Sequence, residues 1–444
     1  MKKMVSLMLV LMLTLCALPA ALAEEAVLLW EADSIYELKG LTDAVKVSKG
    51  RQSSVVTLSG EVIVAPAEYA YLQSTDLGIA PDCFVFATDG GLNNLMVIDR
   101  EGNVITADLY GDVKPISANW LRCAVMSETT GADYDFKAFS GNKRYIADRY
   151  DLYYIPTRTC VAQLTRDQYS NAQERNGYLF LQDDAGVVRL YDASFQEVEV
   201  SIPFRAFTEC SFKAVVNGDA YDVVSRITGQ TIATGYSSYV SNCSEDLLAV
   251  RANNYTGLMD HQGNLVLPTE YDIINFNRDT GLYKLRRDSL VGVYDPAAGA
   301  LIPCEYSDLL GKTVVGDTTY YCMVADGKVG YVNQNGEVTC AFGYDRNAVK
   351  VLGCSMFIKD EAGAITLISA DGQATTLAGV TDTRSLPDAS QGRYVCVQNA
   401  DGQWGIVNWH GEVVFDFCSK YSSSFKFIDA THFIFNSKYM YELQ

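Results

Sequence analysis

The chain has 444 residues, 35 basic and 54 acidic, for a net charge of −19. A surface this acidic repels phosphate, which argues against nucleic acid or anionic lipid as partners; its plain role is to keep a large β protein soluble. Three histidines, none paired at metal-ligand spacing, offer neither a metal site nor a Ser-His-Asp triad, and no cofactor is expected.

Lys2 and Lys3, the apolar run from Val5 to Leu18, Pro19, and Ala21-Leu22-Ala23 read as a signal peptide over residues 1–23, cut between Ala23 and Glu24. The run is too short for a comfortable membrane helix, and no second apolar stretch is long enough to span a bilayer. Leu13-Thr14-Leu15 precedes Cys16, but the bulky Leu15 stands where a lipobox needs a small residue, so secretion is favoured over a lipid anchor. Of twelve cysteines, Cys16 leaves with the signal peptide. Several of the rest, such as Cys123, Cys322 and Cys396, sit between apolar strand residues and read as small buried thiols; disulfides between units stay open.

From Glu24 onward the chain repeats. Gly60 and Gly102 each close a polar turn after a run of β-formers. Gly141 and Phe195 mark weaker copies. Gly229, Gly263, Gly299, Gly336, Gly372 and Gly411 then follow at spacings of 34, 36, 37, 36 and 39. That makes ten units of about 36 residues. The register is poorest near 134–176 (Tyr134 to Asn176), which reads as an irregular insertion. The expected organisation is 1–23 signal peptide, 24–228 degenerate β-repeats carrying that insertion, and 229–444 more regular repeats.

One unit shows the physics. Tyr320–Val324, Val329–Asn333 and Glu337–Phe342 read as strands, separated by Asp326-Gly327 and by Gln334-Asn335-Gly336, whose glycines accept the positive φ of tight turns. Gly343-Tyr344-Asp345 reads as the connection to the next unit. The result is an antiparallel meander of three to four strands, with little or no helix. One meander cannot bury both faces, so neighbours must stack into an all-β array. A β-propeller ring satisfies this, and so does an open superhelical stack. The chain stops inside a unit, after Thr431–Asn436 and Tyr439–Leu443. Val27–Trp30 can supply the missing strand, which favours the ring.

Trp404-Gly405-Ile406-Val407-Asn408-Trp409-His410-Gly411 carries a Trp-Gly dipeptide, an aliphatic strand and a polar turn ending in glycine. Gly330, Gly292 and Gly257 keep the first glycine. Pro268 before Tyr271-Asp272, Pro303 before Tyr306, and Tyr344-Asp345 complete the pattern. In these residues the chain resembles the WG repeats found in tandem in bacterial exported proteins. The resemblance implies a β-repeat scaffold and no shared catalytic residue.

The turn histidines His261 and His410 read as exposed, and the Asp-rich turns at Asp99 and Asp260 as hairpin chemistry rather than calcium loops, being too short to supply six to eight oxygens. Tyrosine is abundant, 28 in all. It suits contact with sugar or protein, and Tyr153-Tyr154 in the irregular segment is the candidate binding surface. The expected function is a non-catalytic, secreted, monomeric binding or scaffolding protein whose partner is cell-wall glycan or another exported protein. The alternative is a β-propeller glycoside hydrolase, which needs a carboxylate pair about 5 to 10 Å apart.

Overall fold

Runs of β-branched and aromatic residues between Asx-Gly turns leave the backbone one economical choice, the antiparallel hairpin, and strands fill the molecule. The structure is a computed structural model that describes residues 25–38, 41–50, 52–64, 71–72, 83–88, 91–137, 143–175, 177–198, 212–226, 228–244, 246–386 and 392–443. The signal peptide, Gly141 and Asn176 lie outside the described residues. Helical geometry among the described residues is confined to three single 3₁₀ turns, Ile155–Thr157, Arg166–Gln168 and Ser422–Ser424.

The strands form a β-propeller. Among the described residues ten sheets follow one another in chain order, spanning 34–64, 71–99, 112–165, 171–198, 212–236, 240–271, 273–306, 308–345, 349–377 and 380–419; they are called sheets 1 to 10 below. They correspond one to one with the ten units counted from the turns. Sheet 11 closes the ring. Phe425–Phe427, His432–Phe435 and Tyr439–Leu443 pair in succession, and Ala26–Glu31 adds as the fourth strand, with Val27 opposite Glu442 and Leu28 opposite Tyr441.

Among the described residues every sheet but the fourth packs on the next through shared apolar side chains. Leu282, Val293 and Ile302 of sheet 7 meet Tyr321, Met323 and Val332 of sheet 8. Tyr394 and Ile406 of sheet 10 meet Phe425 and Phe433 of sheet 11. Ile434 and Met440 of sheet 11 meet Ile35 and Val45 of sheet 1. Full burial of each such side chain contributes about 1.5–3 kcal/mol, so the core is distributed around the ring. The join between sheets 4 and 5 runs through residues 199–211, outside the described residues.

Two details differ from the sequence expectation. The segment read as a connection is a strand on each side: Val338–Asp345 takes in Tyr344-Asp345 as the fourth strand of sheet 8, and Asp308–Val315 is its first. The turn histidines are half-buried rather than exposed, because these turns lean on a neighbouring sheet. His261 packs on Phe212, ring centres 5.0 Å apart, and His410 Nε2 lies 3.1 Å from Asp371 Oδ2. Of the ten described cysteines, six are buried.

A candidate binding cavity in the third sheet

Sheet 3 breaks the pattern. Its strands Trp120–Thr129 and Arg144–Tyr154 have 10 and 11 residues, against six in the middle strands of sheet 7. Side chains alternate along a strand. Leu121 and Cys123 therefore join the core shared with sheet 2, while Arg122, Ala124, Met126 and Glu128 face the other way. Near Trp120 that second face packs on Leu179 and Leu181 of sheet 4. Further along, the overlong strands border an open cavity of about 1050 Å³.

A bulge aims this floor. Val125 pairs with Arg149 but Met126 pairs with Ala147, leaving Asp148 unmatched. Asn93, between the second and third strands of sheet 2, secures the kink: its Nδ2 donates to Met126 O at 2.9 Å and its Oδ1 accepts from Met126 N at 2.8 Å. Bulges of this kind re-aim side chains and recur beside functional sites.

The walls are aromatic and ionic. The Tyr150 and Tyr169 rings stand 4.5 Å apart, and the Arg122 guanidinium lies 5.4 Å from the centre of the first and 6.0 Å from that of the second. Arg122 also pairs with Asp112, as does Lys114 at 3.7 Å. At the mouth Lys143 meets Glu128 at 2.9 Å. Asp135 accepts from Ala147 N at 2.7 Å and pairs with Arg166 at 3.3 Å, which also binds Asp133 at 2.7 Å. Burial pushes the Tyr150 and Tyr169 hydroxyls above the usual tyrosine range, which keeps them protonated donors. The hydrogen bond from Arg166 holds the Asp133 carboxyl below the usual carboxylate range.

The cavity draws on the irregular segment through Asp135, Lys143, Tyr145, Tyr150 and Tyr169, but not through the pair singled out from sequence. Tyr153 is only 2% exposed and is no surface residue. Its hydroxyl meets that of Tyr110 at 2.9 Å and accepts from Ala107 N at 3.0 Å. Tyr110 in turn donates to the buried Asp151 at 2.7 Å, and Arg149 Nε donates to the same carboxylate at 2.7 Å. Tyr154 points to the opposite face and packs on Trp120, ring centres 4.8 Å apart. Adjacent strand residues cannot share a face, so the doublet splits between two cores. Nothing in the sequence singled out Arg122 or Asp112; their partners converge only in the folded sheet.

The repeat-motif residues lie elsewhere and shape the sheets. Gly263, Gly299, Gly336 and Gly411 hold φ of 93°, 62°, 81° and 89° in the turns before the fourth strands. Trp404 is buried beneath the Arg384 guanidinium, 5.1 Å from its ring. The position of the motif tryptophan pairs with that of the motif tyrosine: Thr256 opposite Tyr271, Val329 opposite Tyr344, Trp404 opposite Ser419. The large partner sits on one strand or the other. Asp272 accepts from Asp288 N at 2.9 Å, and Asp345 lies 3.5 Å from Lys328. In the Asp-rich turns the carboxylates accept their own backbone: Asp260 from Gln262 N and Asn264 N, Asp99 from Asn103 N.

Residues 257–288 match the WG containing repeat family. The WG repeat is thus offset from the sheets. It opens on the third strand of sheet 6 at Gly257 and runs to the end of the second strand of sheet 7. No curated protein matches the chain. Among solved structures, a eukaryotic initiation factor is 11% identical over 90% of this chain and 98% of its own, with a TM-score of 0.30. BamB from Moraxella catarrhalis is 12% identical over 85% of this chain and 95% of its own, with a TM-score of 0.21. The computationally designed Ika8 protein is 11% identical over 62% and 96%, with a TM-score of 0.21. Likenesses this low bear on neither ligand nor partner.

Proposed function

We propose that this WG-repeat propeller is a secreted, non-catalytic binding protein and that the sheet 3 cavity is its binding site. The observation that carries the reading is the cavity itself. It lies on the sheet that holds the two longest described strands, and it is walled by tyrosines and by charges already engaged with one another. Apolar ring faces beside convergent polar groups are the ordinary make-up of a ligand site. The partner is a cell-wall glycan or another exported protein. A hydrolase needs one carboxyl placed to give up a proton. Here Asp112, Glu128 and Asp135 each accept from a neighbouring cation, which supports binding without bond cleavage.

The test is to incubate the purified exported protein with a panel of wall polysaccharides and score both retention and bond cleavage. Retention without cleavage, lost in Tyr145→Ala, is the expected result. Cleavage would establish the hydrolase instead, and retention indifferent to Tyr145 would move the site elsewhere.

A further inference from the structure

We infer that the cavity takes an uncharged, hydroxyl-rich oligosaccharide. The inference rests on the reading of the cavity as the ligand site and narrows its ligand.

The first ground is charge. Asp112 serves Arg122 and Lys114, Glu128 serves Lys143, and Asp135 serves Arg166. A ligand carboxylate or amine would have to displace a partner from one of these pairs. The displaced group would then be left uncompensated, and for Arg122, whose side chain is 12% exposed, that cost is high. A hydroxyl displaces nothing. Paired carboxylates keep spare lone pairs and a paired guanidinium keeps spare N–H groups, so hydroxyls bind to what the pairs leave over.

The second ground is shape. Tyr145 and Tyr169, the latter backed by the buried Tyr150 ring, offer flat apolar surface suited to the C–H faces of sugar rings, with hydroxyl donors at their edges. The volume of about 1050 Å³ stands at the upper end for small-molecule sites, which fits several linked sugars rather than one.

Calorimetry on the purified exported protein tests this with three probes: the neutral hexamer of β-1,4-linked N-acetylglucosamine, its deacetylated cationic form, and a hexamer of galacturonate. The neutral hexamer is expected to bind at least tenfold tighter than either charged one. Its affinity is expected to change less than about twofold with added salt, because no net charge is matched. Tyr145→Ala is expected to weaken it about tenfold. Glu128→Gln frees Lys143 at the mouth and is expected to raise galacturonate affinity about tenfold, a gain that damage to the fold cannot produce. A charged hexamer bound more tightly than the neutral one by the unaltered protein, and sensitive to Tyr145, would overturn the ligand class while leaving the cavity as the site. Binding of any hexamer that neither substitution alters would overturn the cavity itself. Failure of all three hexamers to bind would overturn the saccharide.

Discussion

Gly330 lies directly beneath the carbonyl of Cys340: a Cβ on this glycine would stand 2.7 Å from that oxygen and 2.9 Å from the Phe342 ring. Gly257 under Leu267, Gly292 under Ile302 and Gly405 under Phe415 repeat the arrangement at 2.7, 2.6 and 2.7 Å. The cause is a bulge. Val329 pairs with Tyr344 and Tyr331 with Cys340, so two residue steps on the third strand face four on the fourth, and the excess backbone folds over the glycine. The second letter of the WG motif is therefore a packing requirement. Gly330→Ala must push backbone aside and is expected to cost about 1–3 kcal/mol, read as a lower urea midpoint. Gly311→Ala, with nothing within 4 Å of its Cβ, is the control and is expected to stay within about 0.5 kcal/mol of the parent.

How much of this the sequence disclosed depended on how local each constraint is. The turn glycines were legible because a positive φ is a one-residue requirement, and the missing strand at Val27–Trp30 because an unfinished sheet must be finished. The fourth strand was hidden in what looked like a connection, since Tyr344-Asp345 reads as a turn until the bulge over Gly330 is seen. The irregular segment was legible as a break in register. Its face was not: the Val125/Met126 bulge decides which side chains reach the cavity, and Tyr153 falls on the buried side.

Asp295 shows a second device, a turn carboxylate that also ties two sheets together. It is fully buried at the end of the third strand of sheet 7, accepts from Tyr321 Oη at 2.8 Å, and pairs with Lys312 Nζ at 2.6 Å, both from sheet 8. Asp295→Ala strands a lysine and a buried hydroxyl, and is expected to cost about 3–5 kcal/mol. Tyr321→Phe removes one hydrogen bond and leaves the ion pair, at an expected cost of about 1 kcal/mol. Thermal unfolding of the two variants should separate them clearly; equal losses would mean that the ion pair contributes nothing.

Two histidines should give opposite pH dependence. His432 in sheet 11 has Nδ1 2.9 Å from Asp429 Oδ2 and Nε2 3.9 Å from Glu442 Oε1, and the bond to Asp429 raises its pKa above the ordinary value. A raised folded pKa stabilises fully below the unfolded value and loses its effect as pH climbs through the folded one. The advantage of the parent over His432→Asn should therefore be full below about pH 6.5 and shrink as pH rises above it. His261 is shifted the other way, lowered by burial against the nearby charges of Asp246 and Asp260. Its contribution is present above the unfolded value and lost as pH falls from there through the folded one, so the advantage over His261→Gln should shrink as pH falls below about 6.5. Denaturant midpoints on either side of that pH check both signs.

The ring stands or falls on the strand at its beginning. Ala26–Glu31 is joined to the propeller by its pairing with Tyr439–Leu443, at the far end of the chain. Hydrogen exchange of the backbone amides of residues 26–31, followed by mass spectrometry on the purified protein, reads that pairing directly. The closed propeller requires slow exchange there, comparable to Tyr439–Leu443 and lost from both segments together when either is disrupted. Exchange over 26–31 at the rate of unstructured chain, with the remaining sheets protected, would mean that the sheets form an open stack and that the ring does not exist.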